Sequence, residues 1–134
     1  MGTFRIRAAA ELLGVSDDTL RRWVDTGRLP TVADASGRKA VDGAVLARFA
    51  EELAAENPLR APRVSRQSAR NQFTGLVTKV VRDVVMAQVE IQAGPFRVVS
   101  LMSREAADDL GLVPGVLAVA SVKSTNVVVE IPDS

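Results

Sequence analysis

The chain has no cysteine, no histidine and no tyrosine, and only one tryptophan and four phenylalanines among its 134 residues. Without thiolate or imidazole, disulfide frameworks, the usual zinc sites, cysteine nucleophiles and histidine-based triads are excluded together. A carboxylate calcium site is not there either, because its nearest candidate, residues 34–43, lacks alternating oxygen ligands followed by glycine. With no nucleophile and base pair evident, the expectation is a binding protein and not an enzyme, with no cofactor and no directly bound metal. Long apolar runs are missing as well. The longest uncharged stretch, residues 110–122, has 13 residues and contains Pro114 and two glycines, against the roughly 20 apolar residues a membrane helix needs. Glu11 interrupts what would be the apolar part of a signal peptide, and Ile6 stands where a myristoylation signal needs Ser or Thr. A cytoplasmic location with no membrane partner is expected.

What is present is an ordinary globular composition. Hydrophobic residues make up 47% and charged residues 25%, enough to bury a core. The net charge of +1 provides no global field for a polyanion, so any such site must be local. The segment from Arg21 to Lys39 is the candidate, with five basic residues (Arg21, Arg22, Arg28, Arg38 and Lys39) against Asp25 and Asp34.

The periodicity changes character midway, from helical to alternating, across a segment holding Pro58 and Pro62. This predicts an N-terminal module over 1–56, a linker over 57–67 and a second module over 68–134. In the first, residues 7–13 read as a helix with Ala8, Ala9, Leu12 and Leu13 on its apolar side, stopped by Gly14. Ser16 is a good N-cap, Asp17 and Asp18 complement the helix dipole, and Leu20, Trp23 and Val24 form an i, i+3, i+4 stripe. After Gly27 an extended loop or small hairpin is expected over 28–39. A third helix then starts near Asp42 and buries Val45, Leu46, Phe49 and Leu53. The second module reads as five short strands, 73–81, 84–91, 96–102, 116–122 and 127–131, with a helix capped by Ser103 and ended by Gly111. Five strands suit a small barrel, so the expected class is α+β: an all-α winged helix-turn-helix followed by a five-stranded barrel.

If Leu20, Trp23 and Val24 face the core, the same helix presents Thr19, Arg21 and Arg22 to solvent. Arginine forks match phosphates and guanine edges, and a helix of this size fits a major groove. Residues 4–53 resemble the winged helix-turn-helix of the MerR and excisionase type. Its GVS-x-x-TLRRW-x-x-x-G-x-L run is matched by Gly14, Val15, Ser16, Thr19, Leu20, Arg21, Arg22, Trp23, Gly27 and Leu29. The resemblance implies that Thr19, Arg21 and Arg22 enter the major groove of duplex DNA while Arg38 and Lys39, on the wing, touch the backbone. Val41 stands where that wing usually has an aromatic residue.

In the second module, SARNQ directly precedes the first strand and KST closes the fourth, with Ser103 between them; hydroxyls, backbone amides and two cations of this kind suit a small dianion. With LGLVPG in the middle (residues 110–115), the segment 68–130 resembles the molbindin (Mop, or TOBE) domain of molybdate-binding proteins and molybdate-responsive repressors. The resemblance implies an OB-like barrel whose ligand is molybdate or tungstate, taken by Ser68, Arg70, Ser103, Lys123 and Ser124 in pockets between subunits. Ala106 stands where a responsive repressor can have serine. A homo-oligomer is implied, a dimer at least and a hexamer at the upper end. The expected function is a molybdate- or tungstate-responsive transcriptional regulator. The alternative is a molybdate storage or homeostasis oligomer in which the helical module serves assembly.

Overall fold

The structure is a computed structural model and describes residues 2–56 and 71–133. It divides into two compact units, Met1–Pro58 and Leu59–Ser134. The linker expected over 57–67 lies outside the described residues. No described helix is long and apolar enough to cross a membrane.

The first unit runs β1 (Thr3–Arg5), α1 (Ile6–Leu13), α2 (Asp17–Asp25), β2 (Val32–Ala33), β3 (Lys39–Asp42) and α3 (Gly43–Ala55). Gly14 ends α1 at φ 71°, a left-handed conformation that costs glycine little, and its amide returns to the carbonyl of Glu11. Two residues later the Ser16 hydroxyl accepts the Thr19 amide at 3.1 Å and starts α2. Only a three-residue link separates the helices, so Ala9 and Ala10 of α1 meet Leu20 of α2, and Leu29, Val41, Leu46 and Phe49 complete one core. Leu12, expected on the buried side of α1, is 64% exposed instead. The face that packs is Ile6, Ala9, Ala10 and Leu13, the i, i+3, i+4, i+7 set, and Leu12 falls off it.

The unit is not all-α. β1, β3 and β2 form a three-stranded antiparallel sheet with β3 central, and Phe4 stands opposite Val41. Ala40 and Val41 are wholly buried, and a buried strand needs partners for its backbone amides and carbonyls. Residues 3–5 and 32–33 supply them from the two sides. Strands of two and three residues are too short to show alternation in the sequence.

The second unit runs β4 (Asn71–Arg82), β5 (Met86–Ala93), β6 (Phe96–Ser103), α4 (Arg104–Asp109) and β7 (Leu117–Val122). These form a curled antiparallel sheet in the order β6-β5-β4-β7. The curl comes from β4, whose first half pairs with β7 and whose second half pairs with β5. At the crossover the register slips between Val77 and Lys79. A Cβ on Gly75 would come within 2.3 Å of the Gln92 carbonyl oxygen. A bulge and a strand glycine are the usual devices for coiling a sheet. Val77, Val89, Ile91, Ala107 and Leu112 fill the concave side. Arg82 holds α4 over it, donating to the Asp108 carboxylate at 3.0 Å and the Leu112 carbonyl at 2.9 Å.

The fifth strand expected over 127–131 is not formed. β7 ends in a single 3-10 turn, Ser124–Asn126, and the chain beyond it is unpaired, with Val128, Val129 and Ile131 exposed by 81%, 84% and 88%. The run has the composition of a strand, but a tight hairpin back onto β7 requires positive φ in its turn. Positive φ is recorded only at glycines among the described residues, and Ser124-Thr125 has none.

Candidate functional site

On the first unit, α2 places Arg21 and Arg22 in solvent because Leu20 is wholly buried and Trp23 and Val24 pack on the same core. Thr19 is half-buried; its Oγ1 accepts from the Ser16 hydroxyl at 2.9 Å while its amide donates to that hydroxyl. The threonine is therefore tied into the helix cap, with its side chain held in one position at the helix start.

The hairpin between β2 and β3 carries Arg38 and Lys39, both exposed. Asp34 organises it. One carboxylate oxygen accepts the amides of Ser36 at 2.8 Å and Arg38 at 3.0 Å, and the Arg38 carbonyl accepts the Asp34 amide at 2.8 Å. Arg5 lies 3.8 Å from its other oxygen. The Arg38 amide above all, with the Ser36 amide and the Arg5 and Arg38 charges, holds the Asp34 carboxyl below the usual aspartate range. In the sequence Asp34 counts only as a negative charge among basic residues. The readable signal is its place before Ser36-Gly37, the spacing of an Asx turn. Val41, in place of the usual wing aromatic, is fully buried opposite Phe4, so the strand behind the hairpin is anchored in the core.

Arg28 does not join this set. Its guanidinium lies 5.6 Å from the centre of the Trp23 ring and 5.2 Å from that of Phe49, and pairs with Glu56 at 2.8 Å. It fastens the end of α2 to α3 and presents no free cation. Arg21, Arg22, Arg38 and Lys39 have no ion pair with another described residue. Two outward cations on a helix and two on an adjoining hairpin are suited to a polyanion with a groove.

On the second unit, Ser68 and Arg70 lie outside the described residues. Lys123 and Ser124 are exposed at the end of β7, where β4 begins: Asn71 is registered against Val122, and its side-chain amide donates to the Val122 carbonyl at 3.1 Å. Asn71 is a residue that sequence reasoning passed over inside the SARNQ motif. It pins the start of β4 to the strand leading into Lys123. Just inside it, Gln72 Nε2 and Thr74 Oγ1 are enclosed without a hydrogen-bond partner among the described residues.

Ser103 is elsewhere. It ends β6 opposite Met86, its hydroxyl accepting the Ala106 amide at 3.1 Å, and Arg104 beside it is tied to the β4–β5 turn through the Val85 and Asp83 carbonyls. That turn is set by Asp83, whose carboxyl is held below the usual aspartate range by the Met86 and Val85 amides and by Arg104. Ser103 thus sits at the Arg82 end of β4, and Lys123 and Ser124 at the Asn71 end. The strand between them, at about 3.3 Å per residue, has a contour of roughly 36 Å. One chain does not bring these three residues into one cluster.

Two family models match. A helix-turn-helix domain matches residues 3–54 and a TOBE domain matches residues 67–129. Molybdenum-pterin-binding protein 3 of Clostridium pasteurianum is 40% identical over 63 residues, covering 46% of this chain and 93% of that protein. Molybdenum-pterin-binding protein 2 of the same organism is 38% identical over the same shares. Among solved structures, a molybdate-binding protein from Sporomusa ovata is 30% identical with a TM-score of 0.48, covering 49% of this chain and 98% of that one.

Proposed function

The chain belongs, through residues 67–129, to the TOBE-domain family of the molybdenum-pterin-binding proteins, and from that premise we propose that it is a molybdate- or tungstate-responsive DNA-binding transcriptional regulator. The observation that carries the reading is the presence, in one chain, of a TOBE unit and a helix-turn-helix unit that turns Arg21 and Arg22 outward. Thr19, Arg21 and Arg22 read the major groove of duplex DNA, and Arg38 and Lys39, held by Asp34, contact phosphates and set register.

Ser68, Arg70, Ser103, Lys123 and Ser124 take the oxyanion. Their hydroxyls, guanidinium and ammonium replace the hydration of a dianion without a carboxylate to repel it. Because Ser103 and Lys123 lie at opposite ends of β4, a complete cage draws Ser103 from one chain and the KST turn from another. This supports an anion site at a subunit boundary and an obligatory homo-oligomer, at least a dimer. An anion changes DNA affinity only by binding one arrangement of the subunits better than another. Bound at a boundary, it fixes the spacing of two recognition helices against half-sites about 34 Å apart. The protein acts in the cytoplasm, where both anion and DNA are available.

The test is a pair of measurements on the full chain. Molybdate at about 100 times its Kd adds about 2.7 kcal/mol to stability and raises the melting temperature, while equal sulfate does much less. Duplexes selected from a random library by the wild-type chain lose roughly 5- to 150-fold in affinity for Arg22→Ala, with the molybdate shift unchanged. A chain indifferent to molybdate and tungstate overturns the sensor reading. Retention of the anion shift with no selectable DNA leaves an anion-storage oligomer.

A further inference from the structure

One joint of the first unit lies at its surface. Arg28 follows α2, Glu56 is the C-cap of α3, and both are exposed; the Arg28 guanidinium donates to the Glu56 carboxylate at 2.8 Å. The chain after α2 folds back to allow it. The Leu29 amide and the Thr26 hydroxyl both donate to the Trp23 carbonyl, at 3.1 and 3.3 Å, and Arg28 comes to lie over the Trp23 ring. Trp23 of α2 and Phe49 of α3 meet edge to face under the guanidinium, with centroids 5.1 Å apart and planes at 66°. A planar guanidinium can rest on rings and pair with a carboxylate at the same time.

The joint sits where the two units are linked. Residues 57–70 run from the end of α3 to β4, so the covalent path between the units enters the first at Glu56. Leu53 is the last α3 side chain in the core cluster, and Ala54, Ala55 and Glu56 are exposed. An exposed last turn frays unless a side chain ties it down. Arg28 ties this one, and its other contact, Trp23, is the neighbour of Arg22 on α2. Beside the joint lies a cavity of about 170 Å³ bordered by Arg28, Val45, Phe49 and Glu52, which leaves α2 and α3 room to shift against each other.

We propose that Arg28 is the positioning residue that couples the end of α3 to the recognition helix. With Arg28 on both rings and on Glu56, a displacement imposed at residue 56 carries α2, and Arg21 and Arg22 with it. Without the pair, the last turn of α3 yields and the displacement stops there. The proposal rests on the reading of the chain as an anion-responsive DNA-binding protein, and it names the step by which anion binding in one unit alters DNA affinity in the other. Because the two side chains are 38% and 62% exposed, their pairing adds little to folding, and its removal separates coupling from stability.

Glu56→Gln removes the charge pair and leaves Arg28 on the rings; Arg28→Ala removes both contacts. Each full-length variant is titrated with a duplex selected by the wild-type chain, with and without saturating molybdate. Trp23 emission is recorded separately on the DNA-free chain. In the wild-type chain molybdate is expected to change duplex affinity roughly 5- to 150-fold. It should also shift the emission of Trp23, the one tryptophan, although the anion binds in the other unit. In both variants the affinity change is expected to fall below about two-fold and the Trp23 response to vanish. Anion-free duplex affinity and the molybdate-induced rise in melting temperature are retained. Variants that keep the wild-type coupling overturn the proposal. Loss of anion-free duplex affinity overturns it too, because the pair would then serve DNA binding or folding itself. A wild-type chain that binds the duplex equally with and without molybdate fails at the sensor reading, and the proposal falls with it.

Discussion

Leu20, Leu29 and Val41 of the first unit are at most 1% exposed and belong to one cluster that three helices and a small sheet close around. In the second unit Phe96 and Leu117 are each 63% exposed and Ile131 is 88% exposed, although its core also holds wholly buried residues such as Val77 and Val89. Both units are near the size at which a single core is marginal. The first completes its core with local elements: a cap, a three-residue helix link and a hairpin. The second distributes its apolar residues along long strands whose outer edges are unpaired among the described residues. A unit of the first kind is closed by elements near one another in sequence. A unit of the second kind keeps apolar side chains such as Phe96 and Leu117 in solvent, and its shape rests on the register of long strands.

The comparison breaks most visibly at Gly75. Gly75→Val would press a side chain into the Gln92 carbonyl, where even a Cβ arrives at 2.3 Å from backbone that cannot rotate away. The cost exceeds the roughly 1–3 kcal/mol of ordinary overpacking, and the expected outcome is loss of the β4–β5 pairing. Trp23 is the one tryptophan in the chain and lies in the first unit, so its fluorescence reports that unit alone, while the strand signal in far-ultraviolet circular dichroism follows the second. The strand signal should be lost with the Trp23 transition unmoved. A shift in both would show that the two units are not separately closed.

Leu20→Ala runs the comparison from the other side. Leu20 is wholly buried beneath α2, and its truncation is expected to destabilise the first unit by about 2–5 kcal/mol. The Trp23 melting transition falls, and the strand signal with its response to molybdate persists. Equal loss in both signals would again contradict separate cores.

What could be read in advance follows the same division. The caps at Ser16 and Ser103, the glycine stop at Gly14 and the core stripe of α2 are local, each written within five residues, and the structure has them. β1 and the curl of the second sheet depend on partners distant in sequence. The 127–131 run looks like a strand because it has the composition of one, and composition does not supply an edge to pair with. The same holds for function. Arg21 and Arg22 could be identified as outward from the helix they share with Leu20, whereas the separation of Ser103 from Lys123 along β4 is a matter of register. Arg28 misleads in the other direction: it counts as a cation in the basic segment, but Trp23, Phe49 and Glu56 occupy it.

The smallest effect expected is at the hairpin of the first unit and concerns pH. Asp34 is held below its usual range chiefly by the Arg38 amide, so its ionised form favours the folded hairpin. A depressed folded-state value means that this contribution is fully present above the ordinary aspartate value of about 4 and is lost as pH falls through the lower folded one. Between neutrality and pH 5 the Arg38 amide should therefore keep its protection from hydrogen exchange, after allowance for the intrinsic rate, and it should lose protection selectively on further acidification, ahead of amides in α3. Asp34→Asn separates charge from shape. The amide oxygen can still accept from Ser36 and Arg38, so the turn persists, but protection at neutral pH is modestly lower and its acid dependence is gone. If the variant kept the wild-type acid dependence, the titrating group would lie elsewhere. Arg38 would then owe its position to the buried strand behind it, through Ala40 and Val41, and the first unit's closure would be apolar throughout.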